Sequence, residues 1–199
     1  EVYGPGVITM SFAKDVRVYN TTVHSHPGMG IHGSNTENIL IDGLRVVSKT
    51  KDLFMSATAD ATHFNCCRGR IDIRNSTFEK MGDDATNVHQ MYWILEEKQS
   101  PEKIAVVRGK RKEHAHLPVE MLPRVGDTIG FGAQDNWLKL ASFAKVKAVE
   151  PNTKDQIAVI VLESPLPDYV RKGMPMANMS SDPVLTISNC QVRGNRARG

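Results

Sequence analysis

The sequence predicts an all-β fold, a right-handed parallel β-helix (a solenoid) interrupted by a small antiparallel β-barrel insertion. Three observations predict it: a strand template that recurs along the chain, a spacing between its first copies close to one turn of such a helix, and a long insertion before its last copy. The turns of a β-helix bury their apolar positions on one another, so they repeat at a fixed period. A β-sandwich whose strands are similar by coincidence is the alternative that this pattern leaves open.

The recurring template begins with two apolar residues separated by one residue, the period-2 pattern of a strand with one buried face. Asn or Gly, which tolerate a left-handed backbone, stands four positions after the first apolar residue. Another apolar residue, expected to point inward on the next face, stands at seven positions. The copies are Val16 and Val18 with Asn20 and Val23, Ile39 and Ile41 with Gly43 and Val46, Ile71 and Ile73 with Asn75 and Phe78, and Leu185 and Ile187 with Asn189 and Val192.

The spacing of the copies predicts the domain organisation. Val16 and Ile39 are 23 residues apart, close to one turn, whereas the 32 residues from Ile39 to Ile71 leave extra residues that we place in 48–58. The 114 residues from Ile71 to Leu185 hold one turn and a long insertion. The prediction is therefore β-helix coils over 1–90, an inserted domain over 91–181 and a return to the β-helix over 182–199.

The two ends of such a short β-helix lead to two further expectations. Terminal repeats normally need polar caps over the apolar interior, so we expect the natural polypeptide to be longer than this chain. Open ends also permit end-to-end packing, which would make the protein a homo-oligomer.

The insertion has its own pattern of strands. Segments 92–95, 103–107, 128–131, 144–149 and 157–162 are rich in strand-forming residues, and residues 145–149 alternate strictly between polar and apolar. Five short strands in this length predict a small antiparallel barrel or sandwich. The basic run 108–112 is interpreted as a solvated hairpin loop because no aromatic residues interleave with it, as they would for single-stranded nucleic acid.

Composition excludes several classes of protein. The 25 Lys and Arg residues against 22 Asp and Glu residues give a net charge of only +3, with no strong footprint for nucleic acid or an anionic membrane. No apolar run reaches the roughly 18 to 20 residues that a membrane-spanning helix needs. Three cysteines do not make a disulfide framework, and the adjacent Cys66 and Cys67 are interpreted as small buried residues, not a redox pair.

Carboxylates concentrate in one stretch of the predicted β-helix. The tripeptide Asp-Ala-Thr begins at Asp60 and again at Asp84, and Asp83 precedes the second copy. Because one coil separates the copies, the three carboxylates would stack at the strand spacing of roughly 4.8 Å. Whether Asp60 lies opposite Asp83 or Asp84 is left open by the spacing. Like charges this close raise one another's pKa, which makes the cluster a candidate functional site.

Such a cluster suits glycoside hydrolysis. One carboxyl group must stay protonated to donate to the leaving oxygen, and another must be ionised to activate water. In inverting enzymes the two groups lie about 6.5 to 9.5 Å apart, a range that we expect stacked coils to supply. A Ca²⁺ site built from carboxylate oxygens and an external Asp ladder without function are the two alternatives.

Neutral polar side chains surround the predicted cluster. The candidates for binding a hydroxyl-rich ligand are His32, His63, Asn65, Asn87 and His89. Arg196 and Arg198 follow one coil after the strand that holds His89, where they would either reach the same cleft or form an exposed basic end.

Several motifs together resemble a known family of enzymes. The motifs are Asp60-Ala61-Thr62-His63-Phe64, Cys67-Arg68-Gly69 and Asp83-Asp84-Ala85-Thr86-Asn87-Val88-His89, flanked by Gly30-Ile31-His32-Gly33 and Asn195-Arg196-Ala197-Arg198-Gly199. They resemble the core of glycoside hydrolase family 110, exo-acting α-galactosidases that cleave terminal α-1,3-linked galactose and combine a β-helix with β-barrel domains. The three-Asp core is also similar to that of the polygalacturonases, inverting β-helix hydrolases of galacturonan.

The resemblance implies a role for each carboxylate. Asp83 would be the general acid, and Asp60 and Asp84 would together hold and activate the water, in an inverting mechanism with no metal and no organic cofactor. Gln90 stands where the family pattern leads us to expect glycine. The larger glutamine side chain would narrow the subsite and change the linkage or sugar accepted. The expected partner is a galactose-containing oligosaccharide or polysaccharide, with no nucleic acid and no membrane span. A secreted or periplasmic location follows from the resemblance alone.

Two competing functions accompany this prediction. One is a polygalacturonase-like hydrolase of acidic glycans, for which Arg68, Arg70 and Arg74 would supply cationic subsites if they face the cleft. The other is a carbohydrate-binding β-helix that keeps the cleft without turnover.

Overall fold

The regular secondary structure of the described residues is almost entirely β-strand. The computed structural model describes residues 6–107, 122–152 and 157–195. Strands and one short 3₁₀ helix are the only regular elements in these ranges. Among the same residues, no helix has the length and apolar character required to cross a bilayer. The predicted basic hairpin loop at 108–112 lies outside the described residues.

Most of the strands are short, as expected for a chain with frequent Asn and Gly corners. In chain order they are β1 (Ile8–Ser11), β2 (Lys14–Tyr19), β3 (Thr22–His24), β4 (Ile31–Ser34), β5 (Glu37–Asp42), β6 (Arg45–Val47), β7 (Thr62–Asn65), β8 (Arg68–Arg74), β9 (Thr77–Glu79), β10 (Thr86–His89), β11 (Trp93–Ser100), β12 (Lys103–Val107), β13 (Thr128–Gly132), β14 (Leu140–Asn152), β15 (Ile157–Leu162), β16 (Pro175–Asn178), the 3₁₀ helix Met179–Ser181, β17 (Val184–Ser188) and β18 (Gln191–Arg193).

Contacts divide the chain into two compact units, one from 1–89 and 182–199 and the other from 90–181. The first unit contains three parallel four-stranded sheets, with strand orders β1-β4-β7-β10, β2-β5-β8-β17 and β3-β6-β9-β18. From β1 to β9, consecutive strands join the three sheets in rotation. Each of the strands β1 to β7 pairs with the strand three positions further along the chain, whereas β8 pairs with β17 and β9 pairs with β18. The extra residues that we placed in 48–58 lie between β6 and β7.

The predicted template is confirmed by the strand register. Val16 lies opposite Ile39, Ile39 opposite Ile71, and Ile71 opposite Leu185. In the next sheet, Val46 lies opposite both Val23 and Phe78, as the seven-residue offset predicts. The central copies Ile39, Ile71, Val46 and Phe78 are at most 2% exposed, so the core of this unit lies between the sheets.

The last copy is an exception in burial. Val192 was expected to point inward, but it is 53% exposed, and Leu185 is 39% exposed. Both residues keep the predicted register, yet β17 and β18 are edge strands of their sheets. An edge strand has a neighbour on one side only, which leaves its apolar side chains incompletely covered.

The corner residues take the left-handed backbone that the template predicted. The φ angles of Asn20, Gly43, Asn75 and Asn189 are +47°, +76°, +53° and +49°. The Asn75 side chain donates through Nδ2 to Asp42 Oδ1 at 2.8 Å, and its Oδ1 accepts from Asn189 Nδ2 at 2.7 Å. The first of these bonds, followed by that from Arg74, holds the pKa of Asp42 below its usual value. The corners are thus joined into a ladder of side chains.

We expect Asn75→Ala to destabilise the chain by about 1–2 kcal/mol, because alanine is strained in the left-handed region and makes no ladder hydrogen bonds. Urea unfolding followed by circular dichroism measures the change. Asn75→Gly is the matched control, since it removes the bonds but not the freedom of the backbone, and its loss should be smaller. An alanine variant as stable as the native chain would show that the corner at Asn75 and its hydrogen bonds do not stabilise the fold.

The second unit is a closed antiparallel barrel with strand order β11-β12-β15-β14-β13-β16. All five predicted strands are present, and the core contains Trp93, Leu95, Ile104 and Phe131. The prediction missed β16, which pairs with both β11 and β13 and so closes the barrel. Its sequence, Pro-Met-Ala-Asn, lacks the β-branched and aromatic residues that mark a strand.

Candidate active site

The candidate site lies on the sheet β1-β4-β7-β10, and buried and accessible residues alternate along its strand β7. Thr62 and Phe64 of β7 are fully buried, whereas His63 and Asn65 on the other face are partly accessible. Gly33 lies opposite Phe64, and a Cβ atom at Gly33 would sit 2.6 Å from the Phe64 ring. The glycine therefore makes room for the large ring in the core, and His63 is left to face outward.

The three predicted carboxylates lie together at the start of β7 and β10. One oxygen from each of Asp60, Asp83 and Asp84 lies within 4.8 Å of the others. The register that sets Thr62 opposite Thr86 continues to this point, because the Ala61 amide donates to the Asp84 carbonyl at 3.0 Å. The question left open by the sequence is therefore answered: Asp60 lies opposite Asp84.

Asp60 is the most enclosed of the three carboxylates, with 4% of the residue exposed. Its Oδ1 accepts from the backbone amide of Asp84 at 3.1 Å, and its Oδ2 is 2.6 Å from His63 Nδ1. Asp83 and Asp84 are half-buried, and Asp84 Oδ2 accepts from Asn87 Nδ2 at 3.4 Å. The carboxylates thus share one place but differ in burial and in hydrogen-bond partners.

Three histidines line the sheet beside the carboxylates. His32 of β4 lies opposite His63 of β7, with ring centroids 5.6 Å apart, and the His63 and His89 centroids are 5.0 Å apart. The Nε2 atoms of His63 and His89 are only 3.0 Å apart. Asn65 Nδ2 lies 3.4 Å from His32 Nε2. The predicted neutral donors and acceptors are therefore gathered on one face.

His32 is expected to make the stability of the chain depend on pH. Burial lowers the pKa of His32 below its usual value of 6.5, and the charges of His63 and His89 lower it further. The unfolded chain therefore binds a proton more readily than the folded one, and stability present above pH 6.5 is lost as pH falls. We expect the Tm to decrease between pH 7 and pH 5, and to decrease less in His32→Gln. A His32 titration midpoint at or above 6.5 in proton NMR would contradict this.

The chain was compared with known proteins. No protein-family model matches it. It is 34% identical to an alpha-1,3-galactosidase B of Phocaeicola vulgatus, over 98% of this chain and 33% of that protein. It is 33% identical to an alpha-1,3-galactosidase B of Akkermansia muciniphila, over 98% of this chain and 24% of that protein. An alpha-1,3-galactosidase A of the same organism is 26% identical over 94% of the chain.

The chain is a relative of the α-1,3-galactosidases.

The resemblance to glycoside hydrolase family 110 is thereby confirmed. The chain spans one third or less of the length of the family members named above. It nevertheless aligns over nearly its whole length, so the similarity takes in both the carboxylate cluster and the inserted barrel. The Gly-Ile-His-Gly motif before the cluster supplies the site with His32, on the strand next to His63.

Not every predicted site residue lies beside the three carboxylates in the structure. Arg196 and Arg198 lie outside the described residues. Arg70 and Arg74 lie on β8, in a different sheet from the carboxylates. Arg70 Nε donates to both carboxylate oxygens of Asp72 at 3.0 Å, and Arg74 Nε donates to Asp42 at 2.9 Å. These two arginines therefore do not provide the cationic subsites that a polygalacturonase-like function requires.

Three contacts in the site were missed by sequence reasoning. Thr62 Oγ1 donates to Thr86 Oγ1 at 3.0 Å beneath the site face, and His63 contacts both Asp60 and His89. The repeated Asp-Ala-Thr tripeptide was the available signal for the threonine pair, since equal positions in two repeats stack. The histidine contacts depend on side-chain rotamers, which spacing does not encode.

The spacing of the three carboxylates bears on how they could act together. One oxygen from each lies within 4.8 Å of the other two. Two oxygens that bind the same water lie about 4.5 Å apart at ordinary hydrogen-bond lengths, so a shared water fits this spacing. The same three oxygens could also serve as ligands of a divalent cation such as Ca²⁺, which takes 6–8 oxygens.

Proposed function

We propose that the protein is a glycoside hydrolase that removes terminal α-linked galactose, with α-1,3 as the expected linkage, by inverting acid/base catalysis. The observation that carries the proposal is the group of three carboxylates on one sheet of a chain whose relatives are named α-1,3-galactosidases. The substrate would be a galactose-containing oligosaccharide or polysaccharide. A secreted or periplasmic location and a homo-oligomeric state belong to the same proposal.

The proposed scaffold is a right-handed parallel β-helix over 1–90 and 182–199, with the barrel over 91–181 inserted into one of its coils. Three parallel sheets whose strands alternate in rotation support this interpretation. A scaffold of stacked coils would hold the carboxylates on rigid strands and corners, which suits a site that must fix several groups at once.

In the proposed reaction, Asp83 donates its proton to the glycosidic oxygen as the bond from that oxygen to the anomeric carbon breaks. Asp60 and Asp84 hold one water, and their carboxylates accept its proton as the water oxygen attacks the anomeric carbon from the opposite face. The product is β-galactose, with the proton now on the base pair. The hydrogen bond from the Asp84 amide to Asp60 supports this pairing, because it ties the two water-binding groups together.

The neutral side chains beside the carboxylates would orient the sugar. His32, Asn65, Asn87 and His89 carry donors and acceptors on the same face, which suits hydroxyl groups better than a charged ligand. The ion pairs of Arg70 and Arg74 on another sheet also favour a neutral substrate over an acidic one.

Proton NMR of the protein acting on an α-1,3-linked galactose disaccharide tests the proposal. We expect β-galactose as the first anomer released, at a rate that EDTA does not change. Initial α-galactose would instead assign a nucleophile to one Asp and overturn the inverting mechanism. Loss of activity in EDTA, with recovery on adding Ca²⁺, would show that the three carboxylates bind a cation and are not the acid and base. If no galactose appears, this activity is not a property of the chain.

A further inference from the structure

Both ring nitrogens of His63 face protein groups. Nδ1 lies 2.6 Å from Asp60 Oδ2, and Nε2 lies 3.0 Å from His89 Nε2. Only 14% of the His63 side chain is exposed. A histidine in this position has neither nitrogen available for a sugar hydroxyl, although it lies in the middle of the proposed binding face.

The contact with Asp60 fixes the proton of His63. An ionised carboxylate only accepts hydrogen bonds, so a close approach of 2.6 Å requires a proton on Nδ1. The opposite tautomer would set a nitrogen lone pair against the carboxylate oxygen. In the neutral ring Nε2 then has no proton, and it accepts from His89 Nε2–H across the 3.0 Å contact. The ring is therefore held at both ends.

We propose that His63 is a positioning residue for Asp60, not a sugar ligand, and that His89 holds the His63 ring in place. The inference rests on the proposed hydrolase function and adds to it. With Oδ1 on the Asp84 amide and Oδ2 on His63, the Asp60 carboxylate is fixed in its plane, in the orientation that a water-binding base requires. Displacing such a group by about 1 Å costs a reaction on the order of 100-fold in rate.

Two substitutions at His63 separate positioning from sugar binding. His63→Leu removes both hydrogen bonds, and we expect kcat on the galactose disaccharide to fall about 100-fold with KM nearly unchanged. The side-chain nitrogen of Asn can take the place of histidine Nδ1, so His63→Asn keeps a donor to Asp60 and should recover most of kcat. His24→Leu is the matched control, because His24 Nδ1 contacts the Val47 carbonyl on another sheet.

The outcomes distinguish this inference from the function on which it rests. A native chain without turnover would count against the hydrolase, whereas a His63→Leu variant with native kcat, or one changed only in KM, would overturn the positioning role. A readout independent of turnover is the ¹⁵N-coupled proton signal of His63. We expect it on Nδ1 in the native chain and shifted or lost in Asp60→Ala, and a proton found only on Nε2 would overturn the proposal.

Discussion

Asp83→Asn is expected to lower kcat on an α-1,3-linked galactose disaccharide by about 10²–10⁴-fold, the contribution typical of a positioned general acid. Asparagine has nearly the same shape as aspartate but no acidic proton, so the leaving oxygen must depart without protonation. Substrate binding uses neighbouring side chains and should remain. Initial-rate kinetics, together with calorimetric titration of galactose into the variant, measure the two effects separately.

The matched control for this prediction is Asp72→Asn. Asp72 is a carboxylate of β8 that pairs with Arg70 in a sheet other than that of the candidate site. We expect it to keep native kinetics, with a stability change below about 1 kcal/mol, because surface ion pairs contribute little. If the Asp83→Asn variant turned over substrate as fast as the native chain, Asp83 would not be the general acid. Unchanged sugar binding without any turnover in the native chain would instead favour the carbohydrate-binding alternative.

The parts of the fold that could be predicted are those whose residue types favour one backbone conformation or one buried position. Asn75 and Gly43 each mark a left-handed corner, and the apolar residues four positions before them, Ile71 and Ile39, stack in the predicted register. The strand Pro175–Asn178 could not be predicted, because its residues have weak strand propensity and its place is set by pairing with β11 and β13. Tertiary pairing overrides weak local propensity in such a strand.

For the candidate site, the sequence predicted which residues lie near one another but not which side-chain atoms form contacts. The repeated tripeptide brought Asp60 and Asp84 to adjacent strands, since a repeat fixes which residues are neighbours. It left the one-residue register open, which the backbone bond from Ala61 to Asp84 decides. The link from Asp60 to His63 and on to His89 arises from ring orientations, so only the folded structure reveals it.

Gly82→Ala is expected to damage both the fold and the site, although it adds a single methyl group. A Cβ atom at Gly82 would lie 2.4 Å from the carbonyl oxygen of Thr58 and 2.9 Å from its carbonyl carbon. Backbone atoms cannot move aside as the end of a side chain can. The Gly82 amide also donates to the Ala57 carbonyl at 2.8 Å, so the two corners are held together at this point.

The added methyl group must therefore push apart the corners that carry Asp83 and Asp60. We expect Gly82→Ala to lose about 1–3 kcal/mol of unfolding free energy in urea and about 100-fold in kcat. Gly130→Ala is the control, because a Cβ there meets the flexible side chains of Leu140 and Met179 at 3.1–3.2 Å and lies in the barrel. If Gly82→Ala retained native stability and turnover, close contact of these corners would not be what holds the carboxylates together.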